Sequence, residues 1–479
     1  MRRAYSVSSI RHAEDVVAAR GVDLMQRAAA GLAASILRRL QPASGATAVL
    51  LAGPGNNGGD GLFAAARLAQ RGVRVLGCAV IGDPHPEGLA AFERAGGRMV
   101  DIDEATAAID TADLVIDALF GIGGRPGLTG APADLAAHCR IAGTPVVAVD
   151  LPSGLDSDDT GEQDCFPADV TVTFGCYKVC HLAGPAARAC GEVELIDIGL
   201  TDALAEAKPL LSAWDPDDLA DVWPRIDAEA DKYARGVVGI DAGSATYPGA
   251  GVLVALGAVW AGAGMVRVLG VPEVGAEVVH HLPNAVLKPG RVQAMVLGSG
   301  WGSRVRGALE IADALNRRVP VVLDADALRY LPERLPANTL LTPHAGELAR
   351  LLGLTRLDVA TDPIGSVAEA AERTGATVLL KGGTQYVAVP GDGEICVAVP
   401  GPARTAQAGS GDVLAGICGT LLAAGLEPGP AALAAASIQA FTAARLPGMP
   451  PQELVRHLPA TLTLLGVDEE PWGLDEAGA

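Results

Sequence analysis

The sequence predicts an α/β protein of two domains, each a mostly parallel sheet with helices on both faces, a three-layer αβα arrangement. Short Val/Ile/Leu runs of strand length alternate with segments of helical periodicity through most of the chain. The length of 479 residues exceeds one ordinary core, since domains run on the order of 100 to 200 residues. The alternation also fails once, in the Asp- and Pro-rich segment DALAEAKPLLSAWDPDDLADVWPRI. The boundary is expected there, near Leu211, giving domains 1–210 and 211–479. Because 49% of residues are hydrophobic and only 4% aromatic, both cores must be built mainly from Ala, Val and Leu.

Residues Ile10 to Leu40 carry apolar positions at helical spacing, interrupted at Gly21, and read as two helices. From Thr47 the pattern becomes strand (TAVLLA), glycine loop (GPGNNGGDG), helix (FAAARLAQRG) and strand (VRVLGCAVIG). It continues through ADLVIDALFGIGG, a helix near Ala131 to Ile141, TPVVAVDLPSG, VTVTFG and VELIDIG. After the break a second series begins with GVVGIDAGS and runs through AMVLGSG, PVVLDADAL, NTLLTPHAGE and ATVLLKGGT to a helix over Gly411–Ala424. The halves share no repeat, so two different α/β domains are expected.

Acidic residues outnumber basic ones by 56 to 36, a formal charge of -20, and no Lys/Arg cluster offers a phosphate-tracking surface. Nucleic acid and anionic membrane are therefore not expected partners. No apolar run reaches the roughly 18 to 20 residues of a membrane span, and the start MRRAYSVSSIRHAEDVV turns charged where a signal peptide turns apolar. A cytoplasmic protein is expected, with reduced thiols. Of the eight cysteines, Cys165, Cys176, Cys180 and Cys190 lie close in sequence with His181 alongside, but they lack paired C-x2-C spacing and read as structural. His12, His85, His138, His280, His281 and His457 are assigned no role.

Gly53, Gly55 and Gly58 satisfy G-x-G-x-x-G between a strand and a helix, with Asp83 downstream, which is the dinucleotide-binding pattern. The stretch departs from it, because Pro54 removes a backbone donor and Asn56, Asn57 and Asp60 stand where small residues suffice; the helix is expected to start late, near Leu62. Asn and Asp oxygens suit a hard cation as well as a phosphate, and an isolated Asn-Asn-Gly-Gly is also an ordinary tight turn. Two further strands end in polar turns, one with Asp117 and the loop Gly121 to Gly127, the other with Asp150 and Ser153. In an open parallel sheet these ends gather on one edge, so the three turns are expected to share a pocket.

GPGNNGGDG, VIDALFGIG and VAVDLPSGLD together closely resemble the NAD(P)H-hydrate epimerase family over Val7 to Gly199, a Rossmann-like domain. The resemblance implies that Asn56, Asn57, Gly58, Gly59 and Asp60, with Gly121, Ile122, Gly123, Gly124, Arg125, Pro126 and Gly127, hold the hydrated nucleotide together with Asp150. It further implies potassium (K+) on Asn57, Asp117 and Ser153. Because one carboxylate can favour reversible loss of hydroxide or ring opening at a hemiaminal, Asp150 is expected to mediate proton transfer. TVTFGCYKVCHLAGPA is similar to the closing strand and loop of that family.

In the second half, AGSGDVLAGI places bare N–H groups at a helix start, an anion hole for a phosphate in transfer, with Asp412 in the first turn where it can accept a hydroxyl proton. A first-turn carboxylate is equally an ordinary cap. LLKGGT puts Lys381 and a glycine turn after a strand, LGSGWG is a second glycine loop, and TPHAGE supplies His344 and Glu347. The absence of G-x-x-x-x-G-K-[ST] excludes P-loop chemistry. The set resembles the ribokinase-like superfamily, and GSATYPGAGVLVALGAVWAGAGMV, LDADAL and TPHAGE narrow it to the ADP-dependent NAD(P)H-hydrate dehydratases over Asp231 to Leu446. By that resemblance Ala250, Gly302, His344 and Asp412 meet the hydrated dinucleotide. Lys381, Gly382, Gly383, Thr384, Gln385 and Gly411 meet ADP with its Mg2+, and Asp412 is the base. Two departures stand out: GSGWG replaces a proline-containing GPG turn, and PARTAQAGSGD lacks the asparagine often found before the anion hole.

Together the resemblances imply one substrate, NAD(P)H-hydrate, epimerised by the first domain and dehydrated by the second at the expense of ADP, with AMP and phosphate released. The alternative is a small-molecule kinase of the hydroxymethylpyrimidine or hydroxyethylthiazole type, fused to a non-catalytic Rossmann-like binding module. A homo-oligomer is expected.

Overall fold

The computed structural model describes residues 1–226 and 229–467, and the chain divides into two compact units, one over Arg2–Leu211 and the other from Ser212 onward. In the first, seven strands lie in the order Arg98–Val100, Arg74–Ala79, Thr47–Ala52, Leu114–Ala118, Val146–Val149, Val170–Phe174 and Glu192–Ile196. Every neighbouring pair is parallel. The central strands are buried along their length, as a parallel sheet covered on both faces requires. Strand order reverses between Thr47–Ala52 and Leu114–Ala118, so the loops leaving these two strands part company and open a crevice.

Helices Val7–Ala18 and Leu24–Arg39 flank Gly21, whose φ of 82° is the left-handed turn that separates them. The next helix corrects the sequence expectation. It starts at Asn56, directly after Gly55, so Asn56 to Asp60 form its first turns rather than a loop. Glycine's poor helix propensity hides this start, but packing demands it: a Cβ at Gly58 would fall 2.0 Å from the Gly53 carbonyl oxygen.

The sheet of the second unit runs Leu211–Ala213, Ile395–Val397, Tyr386–Ala388, Thr377–Leu380, Thr339–Leu341, Val321–Leu323, Ala294–Leu297, Val237–Asp241 and Met265–Val268. It is parallel from Thr377–Leu380 to Met265–Val268, while Tyr386–Ala388 and Ile395–Val397 join antiparallel. Helices Pro248–Trp260 and Ser410–Ala423 pack closely against each other. Glycine permits it: a Cβ at Gly416 would sit 2.0 Å from the Val254 carbonyl oxygen, and one at Gly257 would sit 2.2 Å from that of Val413. This contact fixes the N-terminus of Ser410–Ala423 over the sheet edge. Among the described residues no helix is long and apolar enough to cross a membrane.

Candidate active sites

In the first unit a cavity of about 770 Å³ opens at the carboxyl ends of the strands, its wall including Glu14, Asn56, Asn57, Asp60, Gly121 and Asp150. The three polar turns do share one pocket. Asp117 is fully buried behind it and accepts from the Ser153 amide (2.8 Å), the Ser153 hydroxyl (2.6 Å) and the Leu119 amide (3.3 Å). All these donors are neutral, so burial pushes the Asp117 carboxyl up to about 6 despite them. A Cβ at Gly121 would lie 3.2 Å from Asn57 Oδ1 and 3.4 Å from Asp150 Oδ2, which places those two side chains on either side of a residue that must stay small. The Asn57 amide nitrogen is buried with no hydrogen-bond partner among the described residues.

Asp150 has a φ of 69°, an uncommon conformation for a residue with a side chain. Its carboxylate pairs with Lys178, and Thr173 Oγ1 donates to it at 3.1 Å. Lys178 reaches it from the short turn after Val170–Phe174 and also donates to Thr173 Oγ1 at 2.7 Å. Burial opposes the lysine's charge, yet Asp150 holds its ammonium above the ordinary value. Burial also raises Glu14 and, more strongly, Asp60, each facing the Asp150 charge. Lys178 thus faces three carboxyl groups, with Arg11 also opposing the rise at Glu14, and burial drives Glu14 and Asp60 toward the neutral form.

In the second unit the strand Val321–Leu323 ends at Asp324, 1% exposed, which accepts from Ser299 Oγ (2.7 Å), Thr342 Oγ1 (2.8 Å) and Lys381 Nζ (2.6 Å). Burial disfavours the Lys381 charge, but Asp324 keeps it above the ordinary value, with Glu347 and Asp412 adding to the effect. A Cβ at Gly411 would lie 3.2 Å from Lys381 Nζ, so the ammonium stands at the N-terminus of helix Ser410–Ala423. Asp412, in that first turn, is pushed up to about 6 by burial and by Asp324. A cation, a helix N-terminus and a carboxyl poised to take a proton therefore meet in one place.

Residues 21–180 match the family model "YjeF-related protein N-terminus", and residues 238–460 match "NAD(P)H-hydrate dehydratase". The chain is 42% identical over 453 residues to the bifunctional NAD(P)H-hydrate repair enzyme Nnr of Mycobacterium tuberculosis H37Rv, covering 90% of this chain and 91% of that protein. The Mycobacterium leprae enzyme of the same name is 41% identical over 466 residues, covering 93% and 94%. The chain belongs to the bifunctional NAD(P)H-hydrate repair enzymes. Among solved structures it is similar to an ADP/ATP-dependent NAD(P)H-hydrate dehydratase from Bacillus subtilis, co-crystallised with ATP/Mg2+. That likeness has a TM-score of 0.50 and 25% identity, and covers 53% of this chain and 98% of that one.

In this member of the family, Asn56, Asn57, Asp60, Asp150 and the run Gly121, Ile122, Gly123 and Gly124 reach the first cavity. Gly58 and Gly59 are buried within the first turns of the helix and do not reach the cavity, and Arg125, Pro126 and Gly127 lie exposed beyond the cavity wall. In the second unit, Gly382, Gly383 and Gln385 line a narrow cleft with Val399 and Gln439, but Thr384 does not. Ala250 packs under the glycine loop, where a Cβ at Gly300 would meet its methyl at 2.4 Å. Gly302, φ 67°, donates its N–H to Asp326 at 2.7 Å. His344 caps helix Ala345–Leu352, its Nδ1 accepting from the Gly346 and Glu347 amides.

The departure GSGWG also acquires a physical account. Trp301 is buried and donates Nε1–H to the Asp241 carbonyl at 2.8 Å, while Arg304 lies over its ring and pairs with Asp241 at 2.9 Å. These contacts fix the loop without a proline. Lys178, Glu14 and Asp324 are the site residues to which the sequence reading gave no role.

Proposed function

We propose that this chain repairs hydrated NAD(P)H, epimerising the hydrate at the cavity of Asp150 and Lys178 and dehydrating one epimer at the site of Asp412 and Lys381. The observation that carries the reading is Asp150 on the wall of a cavity large enough for a nucleotide, with Lys178 buried behind it as its partner. The hydrate is a hemiaminal. The Asp60 carboxyl, which burial drives toward its neutral form, gives a proton to the departing hydroxyl, the ring nitrogen's electron pair expels it as water, and water returns to the opposite face as Asp150, held by Lys178, takes its proton. Asn57 and the small Gly121 shape the space beside the carboxylate, and the Asp60 carboxyl faces the nucleotide.

In the second unit Asp412 accepts the proton of the substrate hydroxyl as its oxygen attacks the terminal phosphorus of ADP. The bridging P–O bond breaks and AMP leaves. Loss of phosphate from the phosphorylated carbon, followed by loss of a ring proton, then restores NAD(P)H. Lys381 and the Gly411 amide at the helix start face the phosphates, whereas the Ser410 amide is already given to the Gln407 carbonyl at 3.2 Å, and Gly382, Gly383 and Gln385 leave room for the nucleotide. Mg2+ accompanying ADP would neutralise phosphate charge.

The oxygens of Asn57, Asp117 and Ser153 are hard donors that fit K+. Asp117 is buried with only neutral partners, and turning the Asn57 amide would bring its oxygen to where its unpartnered nitrogen lies. The ion would hold the loops after the strands together.

The test uses chemically hydrated NADH with both epimers present, ADP, Mg2+ and K+, followed by recovery of absorbance at 340 nm, a wavelength set by the reduced cofactor rather than by this protein. The native chain should recover all of it. Asp150→Asn should stop at the fraction that is already the usable epimer, and Asp412→Asn should recover nothing and leave ADP intact. No recovery by the native chain would sink the reading.

A further inference from the structure

Cys180 and His181 lie in the short helix Val179–Leu182, and Cys190 ends the helix Gly184–Ala189. One ligand atom from each lies within 4.8 Å of the others, and both thiols are completely buried. They sit in a dry pocket of Leu151, Leu155, Cys165 and Ala186. His181 Nδ1 accepts the Lys178 amide at 3.1 Å, so a neutral ring carries its proton on Nε2, and Nε2 is buried with no hydrogen-bond partner among the described residues. A buried donor without an acceptor is costly, and two thiols converging on that ring make a soft ligand set rather than ordinary packing.

We propose that Cys180, His181 and Cys190 form a buried site for a thiophilic d10 cation, Cu(I) ahead of Zn(II), and that filling it releases the cap holding Lys178. Three soft ligands complete Cu(I), whereas Zn(II) calls for a fourth that a pocket closed to water does not supply. Binding displaces the two thiol protons to solvent, with no change in oxidation state. Either ring nitrogen then costs the cap. Bound through Nε2, a neutral ring carries its proton on Nδ1, where the Lys178 N–H already points; bound through Nδ1, it has no lone pair left for that N–H. Because Lys178 holds Asp150, metal would switch off epimerisation alone, and this second half of the proposal rests on the role given to Lys178 above.

The test offers the reduced full-length chain one equivalent of Cu(I) against a bathocuproine competitor, both folded and during refolding, and Zn(II) in parallel. One copper per chain should be retained, with two sulfur and one nitrogen neighbours by X-ray absorption. Cys180→Ser/Cys190→Ser should lose it and Cys418→Ser should keep it. No retained copper, an all-sulfur environment, undiminished retention in the double variant, or tighter hold on Zn(II) would each overturn the site; the absorption measurement on the native chain decides even if the double variant does not fold. Loaded protein should epimerise at least tenfold more slowly and recover when stripped, with dehydration unchanged. Copper retained with epimerisation untouched would overturn the cap coupling. A metal-free native chain that does not epimerise would instead sink the functional reading and leave the metal result standing.

Discussion

Each half of the chain buries a carboxylate–lysine pair near a strand end, and the two pairs are used differently. In the first, Asp150 faces the cavity itself and Lys178 stands behind it with Thr173. In the second, Asp324 is the buried anchor and Lys381 is the group presented, at the N-terminus of a helix and near a second carboxyl, Asp412. One ion pair thus places an anion at the reacting position, and the other places a cation. The difference follows from what surrounds each: acidic side chains at the first site, backbone N–H groups at the second.

The sharpest break of this comparison removes the cation alone. Lys178→Met and Lys381→Met each leave a buried carboxylate unpaired and should cost about 3 to 5 kcal/mol of stability, read as the denaturation midpoint. Adding Asp150→Asn or Asp324→Asn, respectively, should restore most of it. Function should not return in step: the first double variant stays without epimerisation, and the second loses its hold on ADP, seen as a raised KM. Epimerisation that returned with stability would reduce the first pair to a structural one.

Asp117 offers the next test. Its carboxyl stands at about 6 in the fold against an ordinary 3.8, so the native state holds the proton more tightly than the unfolded chain. Stability therefore falls as pH rises from about 4 through 6, by on the order of 3 kcal/mol once both states are ionised. A cation on that carboxylate opposes the loss. Potassium should raise the melting temperature at pH 7 and do little near pH 4, and Asp117→Asn should abolish the salt-specific part. Equal stabilisation by K+ and by a bulky organic cation would break the assignment.

Asp412 has the same raised value with a different consequence, because its basic form is the working one. For the free enzyme, kcat/KM for dehydration should drop tenfold per pH unit below about 6. Beside burial, the negative charge of Asp324 contributes to that elevation, so Asp324→Asn should move the limb downward. A limb that ignored the substitution would place the base elsewhere.

Much of this was legible before the fold was known, and the omissions have a common cause. Strand runs such as LVIDA and VVAV announced both the sheet and the turns that follow them, because a parallel strand is apolar along its length and its polar residues collect where it ends. Lys178 escaped notice because its partner is 28 residues away in sequence, and Lys381 meets an anchor 57 residues away. Spacing within a motif cannot report such pairs. A signal did exist for the first: a lysine inside FGCYKVCHLAG, where nearly every neighbour is apolar, must be buried and therefore paired. The early helix start at Asn56 was hidden for another reason, since glycines that weaken a helix locally were needed there for close approach to Gly53.

The smallest expected effect separates two uses of one residue. His344 caps a helix through Nδ1, and its own amide donates to the Glu347 carboxylate at 2.9 Å, yet the histidine side chain is 57% exposed toward solvent. As a cap alone it is replaceable by Asn, whose side chain accepts the same amides, while Ala should cost about 1 kcal/mol. If His344 also meets the dinucleotide, His344→Asn should keep the melting temperature within a degree or so, since a shift that small corresponds to a few tenths of a kcal/mol, and still raise KM for the hydrate. Unchanged KM in His344→Asn, together with the stability loss in His344→Ala, would assign the histidine to the helix and leave the pocket to Asp412 and the glycine loop.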